Sequence, residues 1–130
     1  MQGLHLTADL RGCRCAPAWL LDAALLGRAC TEAVRNAGLQ PVDQIFHSFP
    51  PTVLGPGGVT ATVLLAESHL CVHTWPEQQA VTLDVYVCNF GGDHSDGAHT
   101  LMDALLALFD AASVERHALQ RGTLTPAIAP

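Results

Sequence analysis

Charge is scarce in this sequence: of 130 residues only 14% are charged, six basic against twelve acidic, for a net charge of −6. Six cations spread over the chain cannot build a basic patch, which excludes nucleic acid and anionic membrane surfaces as partners and points to a small-molecule substrate. Aromatic residues are also few, 5% of the chain, so those that fall beside reactive side chains are read as functional. No apolar run approaches the roughly 20 residues that cross a bilayer, and the opening residues lack a basic segment followed by an apolar one. The expectation is a cytoplasmic protein. An even set of cysteines is missing too: Cys13, Cys15, Cys30, Cys71 and Cys88, without a secretory signal, predict free thiols rather than a disulfide framework.

What is abundant is apolar side chain, 49% of the residues. That excludes disorder and exceeds what the surface of a small monomer absorbs, so a homo-oligomer is expected. The length suits one domain, residues 1–130. Leu4 to Leu10 alternates loosely, Val42 to Phe49 is closed by Pro50 and Pro51, Val59 to Ala66 is β-branched and apolar, and Val81 to Cys88 alternates; each reads as a strand. One helix is predicted from Ala18 to Ala37 behind Pro17, with Leu21, Leu25, Ala29 and Ala33 on its apolar face and Gly38 as its stop. A second is capped by Ser95 and carries Leu101, Leu105, Leu108 and Ala112, after which the last dozen residues read as frayed. The expected fold class is α+β, a two-layer sandwich with an antiparallel sheet of about four strands, helices on one face and the other face in need of a partner.

Residues 67–77, ESHLCVHTWPE, crowd Ser68, His69, Cys71, His73 and Glu77 into a charge-poor chain. A solvent-facing strand is the plainest reading, and three chemical ones stand beside it. In an extended strand His69, Cys71 and His73 share a face and could ligate zinc, with Asp84 or Cys88 as a fourth ligand. A Ser or Cys hydrolase is disfavoured because GxSxG is absent and no carboxylate is placed to orient a histidine. The third is self-cleavage between Glu67 and Ser68.

That third reading rests on a resemblance. The segment ESHLCVHTWPE, with FHSF at 46–49, GGVT at 57–60, VTLDVYVC at 81–88 and more loosely LHLTADLRGC at 4–13, resembles the short bacterial and archaeal form of S-adenosylmethionine decarboxylase, a family of pyruvoyl enzymes. The resemblance implies that Ser68 Oγ attacks the Glu67 carbonyl, that β-elimination from the resulting ester leaves dehydroalanine, and that water replaces its nitrogen, with loss of ammonia, to make the pyruvoyl cofactor. The products are a β chain, 1–67, and an α chain, 68–130. His73 matches the family's processing base. Thr60 stands where a hydroxyl, often serine in relatives, supports the acyl shift. Strict alternation puts Ser68 and His73 on opposite faces, so a turn or bulge near Glu67 to His69 is expected to bring them together.

In the mature enzyme the pyruvoyl ketone condenses with the substrate amine and accepts electrons as carbon dioxide leaves, and Cys88 matches the acid that then protonates the substrate carbon. Pyridoxal phosphate is not required, and no metal is expected. Phe49 matches an adenine-stacking ring and Glu77 a ribose ligand, Trp75 is assigned to the same pocket, and Asp9 stands where relatives often have Glu. The implied activity is decarboxylation of S-adenosylmethionine to the aminopropyl donor for spermidine. The alternatives are a pyruvoyl ornithine or arginine decarboxylase on the same fold, and an uncleaved zinc-binding or regulatory subunit. Phe49 and Glu77 favour the nucleoside, since a diamino acid gives them nothing to hold. Relatives pair through their sheets, implying at least (αβ)2 with sites at the protomer interface.

Overall fold

The computed structural model describes residues 2–122. Its sheet has six antiparallel strands: β1 (Gly3–Cys13), β2 (Pro41–Ser48), β3 (Val59–Leu65), β4 (Ser68–Trp75), β5 (Ala80–Cys88) and β6 (Ala111–Arg121), in the order β2-β3-β4-β5-β1-β6. The expected count of about four is therefore too low. The chemically crowded segment is itself β4. The last strand hides because AASVERHALQR is almost wholly exposed and shows no apolar alternation; pairing with β1 along the full length from Gly3↔Arg121 to Cys13↔Ala111 makes it a strand. Residues 119–121, expected to be frayed, belong to it, and the rest of that tail from 123 lies outside the described residues.

Alternation gives the sheet one apolar face. Leu4, Leu6, Ala8 and Leu10 of β1, Val59, Ala61 and Val63 of β3, Leu70 and Val72 of β4, and Val81, Leu83, Val85 and Val87 of β5 are buried together. Against them pack α1 (Ala18–Leu21), α2 (Ala23–Asn36) and α3 (Ser95–Phe109), so the helices lie on one face as expected. The single helix predicted over 18–37 is broken at Asp22, whose backbone is extended and whose carboxylate accepts the Leu25 N–H to start α2 anew. Its buried stripe is Leu26, Cys30 and Val34, one position on from the predicted Leu25, Ala29 and Ala33. Gly27 lies on that stripe because Phe46 of β2 packs where a side chain would stand; an added Cβ would lie 2.2 Å from the ring. On α3 the buried stripe is Ala98, Leu101, Met102, Leu105 and Phe109, with Ala112 already in β6. Ser95 is the first helical residue rather than its cap, and Asp93 accepts its N–H.

Among the described residues no helix covers the opposite face. By alternation it presents His5, Thr7 and Asp9 of β1, Thr60, Thr62 and Leu64 of β3, and His69, Cys71, His73 and Trp75 of β4, with Thr82, Asp84 and Tyr86 of β5 beside them. Ile45, Leu64, Trp75 and Leu119 leave large apolar surfaces exposed there.

Candidate active site

The Glu67–Ser68 bond sits at the tip of the β3–β4 hairpin. Leu65 pairs with Ser68, so Ala66 and Glu67 alone make the turn. Both are exposed, and Glu67 has φ of 55°, a left-handed conformation that costs a side-chain-bearing residue about 1 kcal/mol. An exposed peptide in a strained turn is open to attack. Ser68 Oγ accepts the Cys88 backbone N–H at 2.9 Å, and Cys88 Sγ donates to Glu67 Oε2 at 3.9 Å. Two residues twenty positions apart thus meet at one end of the sheet, where Ser68, Leu39, Leu65, Val87 and His94 line a cleft of about 260 Å³. Cys88 is 5% exposed.

His73 and Thr60 stand elsewhere. They face each other across β3 and β4, with Thr60 Oγ1 2.9 Å from His73 Nδ1. Beyond the turn, β4 keeps an unbroken register with both neighbours from His69 to His73. At about 3.3 Å per residue His73 therefore lies some 16 Å along the strand from Ser68, on the open face. The expectation that an irregularity at Glu67 to His69 would bring Ser68 and His73 together within one chain fails, because the irregularity is confined to the hairpin turn.

The residues assigned to substrate gather at the His73 end. Phe49 follows β2, is 50% exposed, and meets the His47 ring edge-on at 4.6 Å. Its N–H bonds the Gly58 carbonyl at 2.9 Å. Gly57 and Gly58 are required for this closure: a Cβ on Gly57 would lie 2.0 Å from the Phe49 carbonyl oxygen, and one on Gly58 2.1 Å from that of Thr74. Trp75, 45% exposed, shares a shallow cleft with Asp9, Arg11 and Thr82. Glu77 is exposed in the 3-10 turn Pro76–Gln78. The structure thus makes two clusters at opposite ends of the sheet: Glu67, Ser68 and Cys88 at one, Phe49, Thr60, His73, Trp75 and Glu77 at the other.

Between them lies a network that sequence reasoning missed in part. Asp84 Oδ2 accepts from His69 Nε2 at 2.6 Å and from His5 Nε2 at 2.9 Å. Burial pushes the Asp84 carboxyl up, but the hydrogen bonds and charge of His69 and His5 outweigh it and hold the group below its ordinary value. Arg121 donates to His5 Nδ1 at 3.1 Å and lies 5.3 Å from the Tyr86 ring centre. His5 was legible only as one open-face position of β1. Among the described residues, His5, His69 and Asp84 are the group whose ligand atoms converge, within 4.8 Å; the zinc set His69, Cys71 and His73 does not converge. Each of the three is already hydrogen-bonded to another, with Arg121 beside them. Around the remaining thiols burial disfavours the thiolate. Burial pushes Cys30 up to about 12 and Cys13 to about 11, and raises Cys15 and Cys71.

Comparison with known proteins converges on one family. The family described as S-adenosylmethionine decarboxylase matches residues 4–122. An S-adenosylmethionine decarboxylase proenzyme from Parasynechococcus marenigrum is 39% identical over 121 residues, covering 92% of this chain and 83% of that protein. One from Aquifex aeolicus is 36% identical over the same length, covering 92% and 81%. A crystal structure of the adenosylmethionine decarboxylase from Aquifex aeolicus superposes with a TM-score of 0.81 at 29% identity, covering 98% of this chain and 97% of that one. These matches do not favour the ornithine or arginine alternative, nor the zinc-binding or regulatory subunit.

Proposed function

The chain belongs to the S-adenosylmethionine decarboxylase family, and from that premise we propose that it is a proenzyme that cuts itself between Glu67 and Ser68, turns Ser68 into a pyruvoyl group and decarboxylates S-adenosylmethionine to the aminopropyl donor for spermidine. The observation that carries this reading is the meeting of Glu67, Ser68 and Cys88 at an exposed, strained hairpin tip. Composition agrees. The 130 residues contain no lysine, the side chain whose amine anchors pyridoxal phosphate, which accords with a carbonyl made from the chain itself.

Ser68 Oγ, the attacking oxygen in this reading, is held by the Cys88 N–H. The pyruvoyl group, once made, supplies a ketone that engages the substrate amine and draws off the electrons released with carbon dioxide. Cys88, at the same end, delivers a proton to the substrate carbon. His73, paired with Thr60, is the base that takes the Ser68 α-proton during cleavage, and Thr60 supports the acyl shift. Phe49 stacks on adenine, Trp75 lines the same pocket, and Glu77 meets the ribose hydroxyls.

These two groups of roles are some 16 Å apart in one chain, so they are joined by a second copy. If two open faces pack with a two-fold axis between the sheets and across the strands, the His73 end of each lies over the Ser68 end of the other. Ile45, Leu64, Trp75 and Leu119 are then covered. The assembly is at least (αβ)2, and a cytoplasmic location fits the chemistry. The described residues contain no helix long and apolar enough to cross a membrane.

Denaturing mass spectrometry tests the reading. The purified chain should give fragments 1–67 and 68–130, the second without an α-amino group, and Ser68→Ala should stay whole because alanine has no oxygen to attack with. A wild-type chain that remains uncut when S-adenosylmethionine is supplied overturns it.

A further inference from the structure

His69 has two diagonal neighbours across the β4–β5 ladder. It pairs with Tyr86, which puts Asp84 on one side and Cys88 on the other, both within reach of a ring that can turn about χ1. In the structure the ring leans wholly to Asp84, at 2.6 Å. The other groups around it complete the restraint. His5 of β1 occupies the second approach to the same carboxylate oxygen, and Arg121 of β6 holds His5 from behind. Tyr86 lies beside both rings, 5.9 Å from His69 and 5.7 Å from His5. On the far side Cys88 Sγ points to Glu67 rather than to any imidazole.

We propose that Asp84 is a positioning residue that holds the His69 imidazole off Cys88, so that the sulfur meets substrate as a thiol with a proton to give. An imidazole beside a thiol draws off its proton and leaves a thiolate–imidazolium pair. Such a pair makes Cys88 a nucleophile and removes the acid that the decarboxylation needs. His5 and Arg121 act through Asp84 by fixing the carboxylate. The inference rests on the decarboxylase reading for the purpose of the thiol, and its geometry is independent of it.

The test uses the full chain kept whole by Ser68→Ala, and follows iodoacetamide alkylation of Cys88 by peptide mass. Adding Asp84→Ala should speed that alkylation at pH 7 on the order of tenfold, the effect of one unit's drop in a thiol's pKa. Asp84→Asn, whose amide oxygen still accepts from His69, should alkylate like the parent. Adding His69→Gln to Asp84→Ala should abolish the acceleration, which a merely loosened structure would not show. Where alanine does not fold, Asp84→Ser, too short to reach His69, carries the same comparison. Equal Cys88 alkylation in the parent and in folded Asp84→Ala or Asp84→Ser overturns the proposal. Failure of the decarboxylase reading shows separately, as a wild-type chain that does not split.

Discussion

In the proposed reading, Cys88 and Asp84 divide the labour of turnover between single side chains. Cleavage needs Ser68 and a base, whereas turnover needs an acid at the substrate carbon, so Cys88→Ala should still be cut while its decarboxylation falls roughly 10²–10⁴-fold, the range for a lost general acid. Fragment masses and product release from one preparation measure the two effects together. Cutting and turnover both unchanged would make Cys88 a packing thiol. Asp84 gives a pH prediction of definite sign. Its carboxyl is lowered in the folded chain by His69 and His5, so it contributes stability that is fully present above the unfolded value of about 3.9 and is lost as pH falls through the lower, folded value. Asp84→Asn should therefore be less stable than wild type at neutral pH and should lose less of its stability between about pH 5 and pH 2. Urea midpoints against pH decide it, and parallel curves for the two proteins would show that the network contributes nothing to acid stability.

Elements were legible where their residues alternate and obscure where pairing alone makes them. β3 and β5 announce themselves as apolar β-branched runs buried on one face. β6 does not, because an edge strand lying in solvent needs no apolar face and takes its form from β1. The first helix misled by its alanines: Ala29 and Ala33 sit one position from the true stripe, and small residues mark a face poorly. The site followed the same rule. Ser68, Thr60, His73 and Cys88 could be named from motif, and the Thr60–His73 pairing follows from strand register, whereas the Cys88 N–H to Ser68 Oγ bond does not. His5 escaped notice, since only the order β4-β5-β1 brings it to Asp84. The GG of the 57–60 motif has its reason in the β3–β4 end of the sheet, where Gly58 passes against the Thr74 backbone. Gly58→Ala should cost about 1–3 kcal/mol in denaturant unfolding, as forced overpacking does, and should slow cleavage by displacing Thr60 from His73. A fully stable Gly58→Ala protein would show that the loop moves aside freely.

At the scale of the whole molecule, one chain holds all the named side chains and no complete site. The regular run of β4 carries His73 away from Ser68, and the uncovered, partly apolar face offers the surface through which a second chain can return it. Face-to-face two-fold pairing makes a prediction that separates shared from self-contained sites. Ser68→Ala keeps a working His73 but has nothing to cut, and His73→Ala keeps Ser68 but lacks its base, so each alone should remain whole. Produced together in equal amounts and mixing at random, about half of the His73→Ala chains pair with a Ser68→Ala partner. In those pairs the partner's intact His73 faces the intact Ser68. Roughly that half should split, and the Ser68→Ala chains should stay intact throughout. Differential tags and denaturing mass spectrometry distinguish the two, and native mass spectrometry confirms that mixed dimers form. If mixed dimers form and nothing is cut, His73 acts within its own chain, and β4 must then bend in solution by more than its ladder of hydrogen bonds to β3 and β5 permits.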